Sequence, residues 1–318
     1  MDKNLFAAVD LGTNNCRLLV AKSMGSKIRI IDAYSRIVRL GEGLSQNGML
    51  SQKAMKRTLQ ALQVCENKIK QREVARVRYV ATAVCRKAQN CNEFVSLVNE
   101  RIGINLEVIT AEEEAVLALL GCAPIIDPLK KYALVFDIGG GSIEVVWAAL
   151  NGSAYPDIKA WISLPIGVVT LSEEFGGYEH TSKSFVELKN FVINKLISFE
   201  EDNNISHEFN QNTAQMIGTS GTMSTLAAVH LNLSRYNRSV IDGRSISSSE
   251  LLITSNKIKA MKKDTLIAHP CILKGRADLV VPGCSVLEAI LTIWPASNVS
   301  IADRGIREGM LRKMMSMC

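Results

Sequence analysis

The hydrophobic and polar positions of this chain switch repeatedly between a two-residue and a helical period, and the switches outline its elements. Leu5 to Leu11 is an apolar run that carries Asp10 near its end, and the stretch DLGTNN (Asp10 to Asn15) then leads into the β-rich run Arg17 to Ala21. Two strands joined by a tight polar turn are predicted. Tyr132 to Ile138 repeats the plan, with DIGGGS (Asp137 to Ser142) leading into Ile143 to Leu150, so the chain reads as one element used twice and two similar halves are expected. Between the echoes, Ser51 to Arg72 has helical spacing with Leu59, Leu62 and Ile69 on one side, and Val74 to Ala81 reads as a strand. Leu106 to Ile109 leads into a helix over Ala111 to Leu120, with Thr110 as its N-cap and Glu112, Glu113 and Glu114 in the first turn, where acid complements the helix dipole. Further on, Ser182 to Glu201 is predicted helical and Thr213 to Ile217 a strand. GTSGT (Gly218 to Thr222) is read as a turn ahead of a helix from Met223 to Asn232, and Gly305 to Met317 as a terminal helix that returns to the first domain.

The connection Cys122 to Lys131, with Pro124 and Pro128, cannot continue a helix, which places the domains at residues 1–124, completed by 305–318, and 125–304. A length of 318 residues with 47% hydrophobic content accommodates about two such domains. No apolar run approaches the roughly 18 residues that span a bilayer, and Asp10 interrupts the N-terminus before a secretion signal forms, so a cytoplasmic protein without membrane contact is expected. Eight cysteines without CxxC pairs fit packed, reduced thiols in that compartment. The net charge of +6 favours an acidic partner. No nucleic-acid partner is expected, because aromatics are 5% of the chain and no basic, aromatic-studded tract offers a stacking platform.

The two Asp-Gly turns carry the chemistry. Glycines let backbone N–H groups approach a ligand closely, and such turns cradle phosphate oxygens; the alternative for a single DxG turn is an ordinary hairpin corner. Three consecutive glycines each cost roughly 0.5–1 kcal/mol in extended structure, a cost that a ligand or a close backbone approach is expected to offset at Gly139, Gly140 and Gly141. Carboxylates beside such loops repel phosphate unless a cation intervenes, so Asp10, Asp137 and Glu144 imply magnesium or another divalent ion. Gly218, Thr219, Gly221 and Thr222, between an apolar strand and a helix, form a candidate second anion site at a helix N-terminus.

With these motifs in view, the chain resembles the exopolyphosphatase and guanosine pentaphosphate phosphatase family, a branch of the actin, sugar kinase and Hsp70 superfamily. The resemblance runs through AVDLGTNNCRL (Ala8 to Leu18), RLGEGL (Arg39 to Leu44), ATAVCRKA (Ala81 to Ala88), VITAEEEA (Val108 to Ala115), VFDIGGGSIEV (Val135 to Val145), LPIGVVTLSE (Leu164 to Glu173), GTSGTMSTLAA (Gly218 to Ala228), GRADLVVPGCSVLEAI (Gly275 to Ile290) and DRGIREGML (Asp303 to Leu311). It implies an α/β, two-domain, actin-like fold of ribonuclease H-like units with an active-site cleft between them. It also implies release of terminal orthophosphate from inorganic polyphosphate, guanosine pentaphosphate or both, and a homodimer. Within it, Glu114 takes the catalytic carboxylate's place, with Glu113 the alternative register, and Arg86 that of the motif's arginine. Gly12, Thr13, Asn14, Gly139, Gly140, Gly141 and Ser142 take the phosphate loops, Arg17 lies near the first loop, and Asp137 and Glu144 lie in the metal region. Arg39 and Arg276 are weaker candidates for contacting a polyanion. Two departures stand out: TNNC replaces the common SNSF in the first turn, and Cys85 replaces the usual Val before the arginine. The match ends after REGML, as expected of a short form without the C-terminal HD-type region. The competing readings are an actin-fold kinase acting on ATP and a guanosine tetra- or pentaphosphate sensor with little hydrolysis.

Overall fold

A computed structural model of the protein describes residues 2–25, 27–152, 156–177 and 181–316. The chain divides into two compact units, Met1–Gly121 with Gly305–Cys318, and Cys122–Arg304. The boundary falls between Gly121 and Cys122, where a helix runs out into a short 3₁₀ turn over Ala123–Ile125 that contains Pro124.

The first unit holds strands β1 (Asp2–Leu11), β2 (Asn15–Met24), β3 (Lys27–Ile37), β4 (Val74–Ala81) and β5 (Glu107–Val108), in the order β3-β2-β1-β4-β5. The first three form an antiparallel meander, and β4 and β5 continue the sheet in parallel. Its helices are α1 (Leu44–Asn47), α2 (Gln52–Gln71), α3 (Ala83–Lys87), α4 (Cys91–Ile102) and α5 (Ala111–Cys122). In the second unit, β6 (Tyr132–Ile138), β7 (Ile143–Ala149), β8 (Asp157–Leu164), β9 (Ala214–Thr219), β10 (Ser245–Ser247) and β11 (Asn298–Ala302) are arranged β10-β11-β9-β6-β7-β8. Read from the meander outward, both sheets have the ribonuclease H-like order, with the central strand parallel to the strands beyond it, and the second adds β10 at its edge. This is the duplicated actin-like architecture. The second unit's helices are α6 (Val168–Phe175), α7 (Ser182–Asn203), α8 (Ile205–Asn210), α9 (Ser220–His230), α10 (Arg238–Ile241), α11 (Ser248–Lys259), α12 (Lys263–Ala268) and α13 (Val280–Ile293), while the terminal helix α14 (Ile306–Ser316) belongs to the first unit.

Helices cover both faces of the first sheet, which is why β1 and β2 are apolar almost throughout rather than alternating. Val9, Leu11, Leu18 and Val20 join the side chains of α2 and α4, among them Leu62 and Phe94, in one cluster. Phe6, Ala8, Leu19 and Ala21 face the other way and pack with Leu117 of α5 and Met310 and Leu311 of α14. Asp10 continues the second row, so a single carboxylate interrupts an apolar stripe at the end of the strand. Local signals account for some of the element boundaries. The Ser51 hydroxyl accepts from the Ala54 N–H and starts α2, and Thr110 accepts from the Glu113 N–H at 3.1 Å and starts α5.

The strand-to-helix junction at GTSGT differs from expectation. Strand β9 runs through Thr219 and α9 begins at Ser220, three residues before Met223, so Gly221 and Thr222 lie in its first turn. The abrupt change is made at Ser220, whose φ of 93° lies in the left-handed region that normally favours glycine.

Candidate active site

The two echoed turns have the same construction. In the first, the Gly12 N–H donates to the Asn15 carbonyl at 2.9 Å; in the second, the Gly139 N–H donates to the Ser142 carbonyl at 3.0 Å. Each turn is then pinned by the segment that follows the third strand of its meander. The N–H groups of Val38 and Arg39 donate to the Asn14 carbonyl at 2.9 and 3.0 Å, and that of Gly41 donates to Thr13 at 3.0 Å. Correspondingly, the Val168 and Val169 N–H groups donate to Gly139 and Gly140 at 3.0 and 2.9 Å. The approach is close enough to require glycine. A Cβ on Gly41 would lie 2.3 Å from the Thr13 Cγ2, and one on Gly167 would lie 2.5 Å from the Gly140 and Gly141 backbone. Gly12 differs, since a Cβ there would meet only the Asn15 carbonyl at 3.7 Å, so the protein's own packing does not demand glycine at that corner. With their carbonyls tied down, both turns are rigid, as a preorganised anion cradle requires.

Three oxygens around the first turn are buried without a hydrogen-bond partner: Asp10 Oδ1, Asn14 Oδ1 and Asn15 Oδ1. Asp10 is 8% exposed, and burial pushes its carboxyl above the ordinary range, while Arg17, directly across the hairpin, and Arg307 pull it down and Glu308 pushes it up. The native carboxyl therefore holds its proton more tightly than the unfolded chain does. Stability present at low pH is lost as pH rises through the raised native value. The variant Asp10→Asn is expected to be more stable than the parent in chelator at pH 7, by about 1–3 kcal/mol, with the gain vanishing toward about pH 4, near the ordinary carboxyl value. Thermal unfolding across that pH range measures it, and an unchanged midpoint at pH 7 would show that the carboxylate costs the fold nothing.

The three first-turn glutamates of α5 have separate fates. Glu112 is exposed. Glu113 pairs with Arg78 at 2.9 Å and Lys313 at 3.2 Å, and the Arg78 guanidinium holds its carboxyl below the usual range. Glu114 points inward and is 6% exposed. There the Arg86 Nη1 donates to Glu114 Oε2 at 2.8 Å and to the Ile109 carbonyl at 3.0 Å. Arg86 sits on α3, just past β4, and Glu114 follows β5, so the parallel pairing of these two strands brings the two motifs together.

In the second unit, Asp137 and Glu144 are direct cross-strand partners at the mouth of the glycine turn, on the face opposite the main core row of Leu134, Phe136 and Ile138. Glu144 is 2% exposed and accepts from the Ser163 hydroxyl at 3.0 Å. Like charges placed directly opposite each other are destabilising, and a hard cation with oxygen ligands would relieve that repulsion. Among the described residues, no group of three or more His, Cys, Asp or Glu side chains is arranged to hold a metal.

GTSGT is largely taken up by packing. A Cβ on Gly218 would lie 2.6 Å from the Phe136 ring, and the Thr219 hydroxyl donates to the Arg304 carbonyl. Thr222 packs against α13 where Gly283 makes room for it, and Gly221 lies against the Arg276 guanidinium, which a Cβ there would meet at 2.0 Å. Only the Gly221 end of the motif thus faces a basic group.

Residues 19–317 match the model of the Ppx/GppA phosphatase family. The chain belongs to this family. Among curated relatives, it is 28% identical over 319 residues to a guanosine-5'-triphosphate,3'-diphosphate pyrophosphatase of Vibrio cholerae; the match covers 98% of this chain and 59% of that protein's length. Among solved structures, the Aquifex aeolicus Ppx/GppA member superposes with a TM-score of 0.79 at 27% identity over 98% of both chains. An exopolyphosphatase from Cytophaga hutchinsonii, 23% identical, shares the fold with a TM-score of 0.88, also over 98% of both chains.

Some elements of this candidate site are not evident from the Asp-Gly turns alone. The pinning segments around Gly41 and Gly167 lie within RLGEGL and LPIGVVTLSE, and each places a glycine just after the third strand of a meander, a second echo of the duplication. Arg307 and Glu308 are distant from Asp10 in sequence, and only the docking of α14 brings them beside it. Among the described residues, no helix is long and apolar enough to cross a membrane.

Proposed function

We propose that this Ppx/GppA chain hydrolyses the terminal phosphoanhydride bond of short inorganic polyphosphate and of guanosine pentaphosphate, releasing orthophosphate. The observation that carries the reading is the contact between a buried Glu114 and Arg86 within the first unit. Hydrolysis needs an oriented water and a group to take its proton. Glu114 takes that proton as the water oxygen bonds to phosphorus and the bridging oxygen leaves with the shortened chain. Arg86 fixes the direction of the carboxylate. Preorganised backbone N–H groups of the two turns, other than those of Gly12 and Gly139 that close the turns themselves, bind phosphate oxygens, and such donors are worth most where charge develops. Arg17 adds a cation beside the first turn. Within the first unit Asp10 and the orphaned amide oxygens of Asn14 and Asn15, and within the second unit Asp137 and Glu144, are the oxygen donors that would hold a magnesium ion. When bound, that ion neutralises phosphate charge and polarises the reacting phosphoryl group.

The reading is tested by incubating the purified chain and magnesium with short polyphosphate, long polyphosphate and guanosine pentaphosphate, and comparing orthophosphate release as kcat/KM. Release from short polyphosphate or the nucleotide is expected. Tight nucleotide binding without release across several divalent ions would overturn the reading in favour of a sensor, and phosphate transfer from labelled ATP to a sugar would do so in favour of a kinase.

A further inference from the structure

The two glycine turns are held from behind in different ways. In the second unit the pinning N–H groups of Val168 and Val169 are the first two of α6, donors that a helix leaves without an internal partner, and the eight-residue helix fixes their direction. The first unit has no helix in that place. Residues 38–43 run irregularly to α1, a helix of only four residues, so the segment that pins Thr13 and Asn14 does not draw its rigidity from a helical ladder. It also carries strain. Arg39 has a φ of 45°, in the left-handed region that side chains disfavour and that persists only where surrounding contacts impose it.

Arg57, on α2, supplies such contacts. Its Nε donates to the Val38 carbonyl at 2.9 Å, and its Nη2 donates to the Arg39 carbonyl at 3.2 Å and to Glu42 Oε2 at 2.7 Å. The guanidinium therefore grips the peptide units on both sides of the strained Arg39 Cα. The first of these units is shared with the turn: its carbonyl accepts from Arg57, and its N–H, that of Arg39, donates to the Asn14 carbonyl at 3.0 Å. Hydrogen bonds in such a chain polarise one another. Val38 is fully buried, so its carbonyl depends on the guanidinium rather than on water. In a trans peptide the N–H points opposite the C=O. Tying the Thr13 carbonyl to Gly41, and that of Asn14 to Val38 and Arg39, therefore turns the Asn14 and Asn15 N–H groups away from the pinning segment.

We propose that Arg57 is a positioning residue for the phosphate-binding turn of the first unit. It acts without touching substrate, by holding residues 38–41 in the conformation that aims the N–H groups of Asn14 and Asn15. The effect on turnover rests on the proposed hydrolysis; the grip on the segment does not.

The test compares the folded parent with Arg57→Met, Arg57→Lys and Lys56→Met by hydrogen exchange and by orthophosphate release from short polyphosphate. In Arg57→Met the amides of Val38, Arg39 and Gly41 should exchange about tenfold faster or more, the scale of a lost hydrogen bond to a charged group, while those of α4 keep the parent rate. Arg57→Lys should lie between the two, because one ammonium does not reproduce the guanidinium's fork. Should Arg57→Met fail to fold, Arg57→Lys carries both measurements. In Arg57→Met kcat should fall about a hundredfold, the scale of a 1 Å misplacement, with a smaller change in KM. Lys56→Met removes the same charge from an exposed position of α2 and should match the parent in both measurements. Unchanged exchange at residues 38–41 overturns the proposal, as does acceleration that extends equally through α4, the mark of general loosening. Faster exchange with unchanged kcat overturns the link to the turn's chemistry. A rise in KM alone, matched in Lys56→Met, assigns Arg57 to general attraction of anions and also overturns it. If the parent releases no phosphate from any substrate, the proposed hydrolysis fails while the exchange measurement still decides the grip.

Discussion

Replacing Glu114 with Gln is expected to lower kcat for orthophosphate release by about a hundred- to ten-thousandfold, the range of a general base, with little change in KM. The amide keeps the shape and an acceptor for Arg86 Nη1, now 2.8 Å from Glu114 Oε2, but it cannot take a proton. Loss confined to kcat separates a role in the reacting state from one in binding. Thermal unfolding of the variant should stay close to the parent, since the Arg86 side chain is 22% exposed and water can reach it. Glu113→Gln is the control for the neighbouring register. Its carboxylate serves surface pairs with Arg78 and Lys313, each worth about 0–1 kcal/mol, and its turnover should stay near the parent's. Steady-state kinetics on short polyphosphate decides the matter; near-normal kcat in Glu114→Gln would remove that residue from the base role and pass it to another group.

Gly309→Ala should destabilise the protein by about 1–3 kcal/mol or more, the cost of overpacking a closed contact. A Cβ at Gly309 would lie 2.0 Å from the Leu117 carbonyl oxygen and 2.8 and 3.0 Å from the Leu117 C and Cα, all backbone atoms of α5. A second contact of the same kind occurs at Gly121, where a Cβ would be 2.1 Å from the Gly305 carbonyl. Helices α5 and α14 thus cross backbone to backbone at two points, and no side-chain rotation can relieve an added methyl. The consequence extends beyond stability, because α14 carries Met310 and Leu311 into the core and Arg307 and Glu308 to Asp10. Urea unfolding should show a lower midpoint with an unchanged slope, whereas Ser316→Ala on the exposed face of α14 should stay within about 0.5 kcal/mol of the parent. A Gly309→Ala protein as stable as that control would mean that the two helices do not approach this closely.

Much of the fold was legible before any coordinates, because the signals that specify it are local. The strands Val74–Ala81 and Tyr132–Ile138 start and stop where their apolar runs do, and α2 and α5 begin behind Ser51 and Thr110, whose hydroxyls cap them. The duplicated Asp-Gly corners were readable for the same reason, since a hairpin turn is specified by the few residues it contains. Periodicity was no guide to the three glutamates at the start of α5: adjacent helical positions face different surroundings, and it is the packing of the helix over β4 and β5 that leaves Glu113 on an ion-paired surface and turns Glu114 toward Arg86. The start of α9 was misplaced because Ser220 adopts a backbone conformation that its residue type does not announce.

Local sequence specified the strands β1, β2, β4, β5, β6, β7 and β9, the helices α2, α5, α7, α9 and α14 and the two glycine corners, since each depends on neighbours within a few residues. Tertiary structure alone settled which carboxylate is buried, how the Gly41 and Gly167 segments hold the turns and where α14 docks on the first sheet. The physical reason is that burial and most of these contacts depend on which faces of remote elements meet in space, and close packing selects those faces without leaving a periodic trace in the local chain.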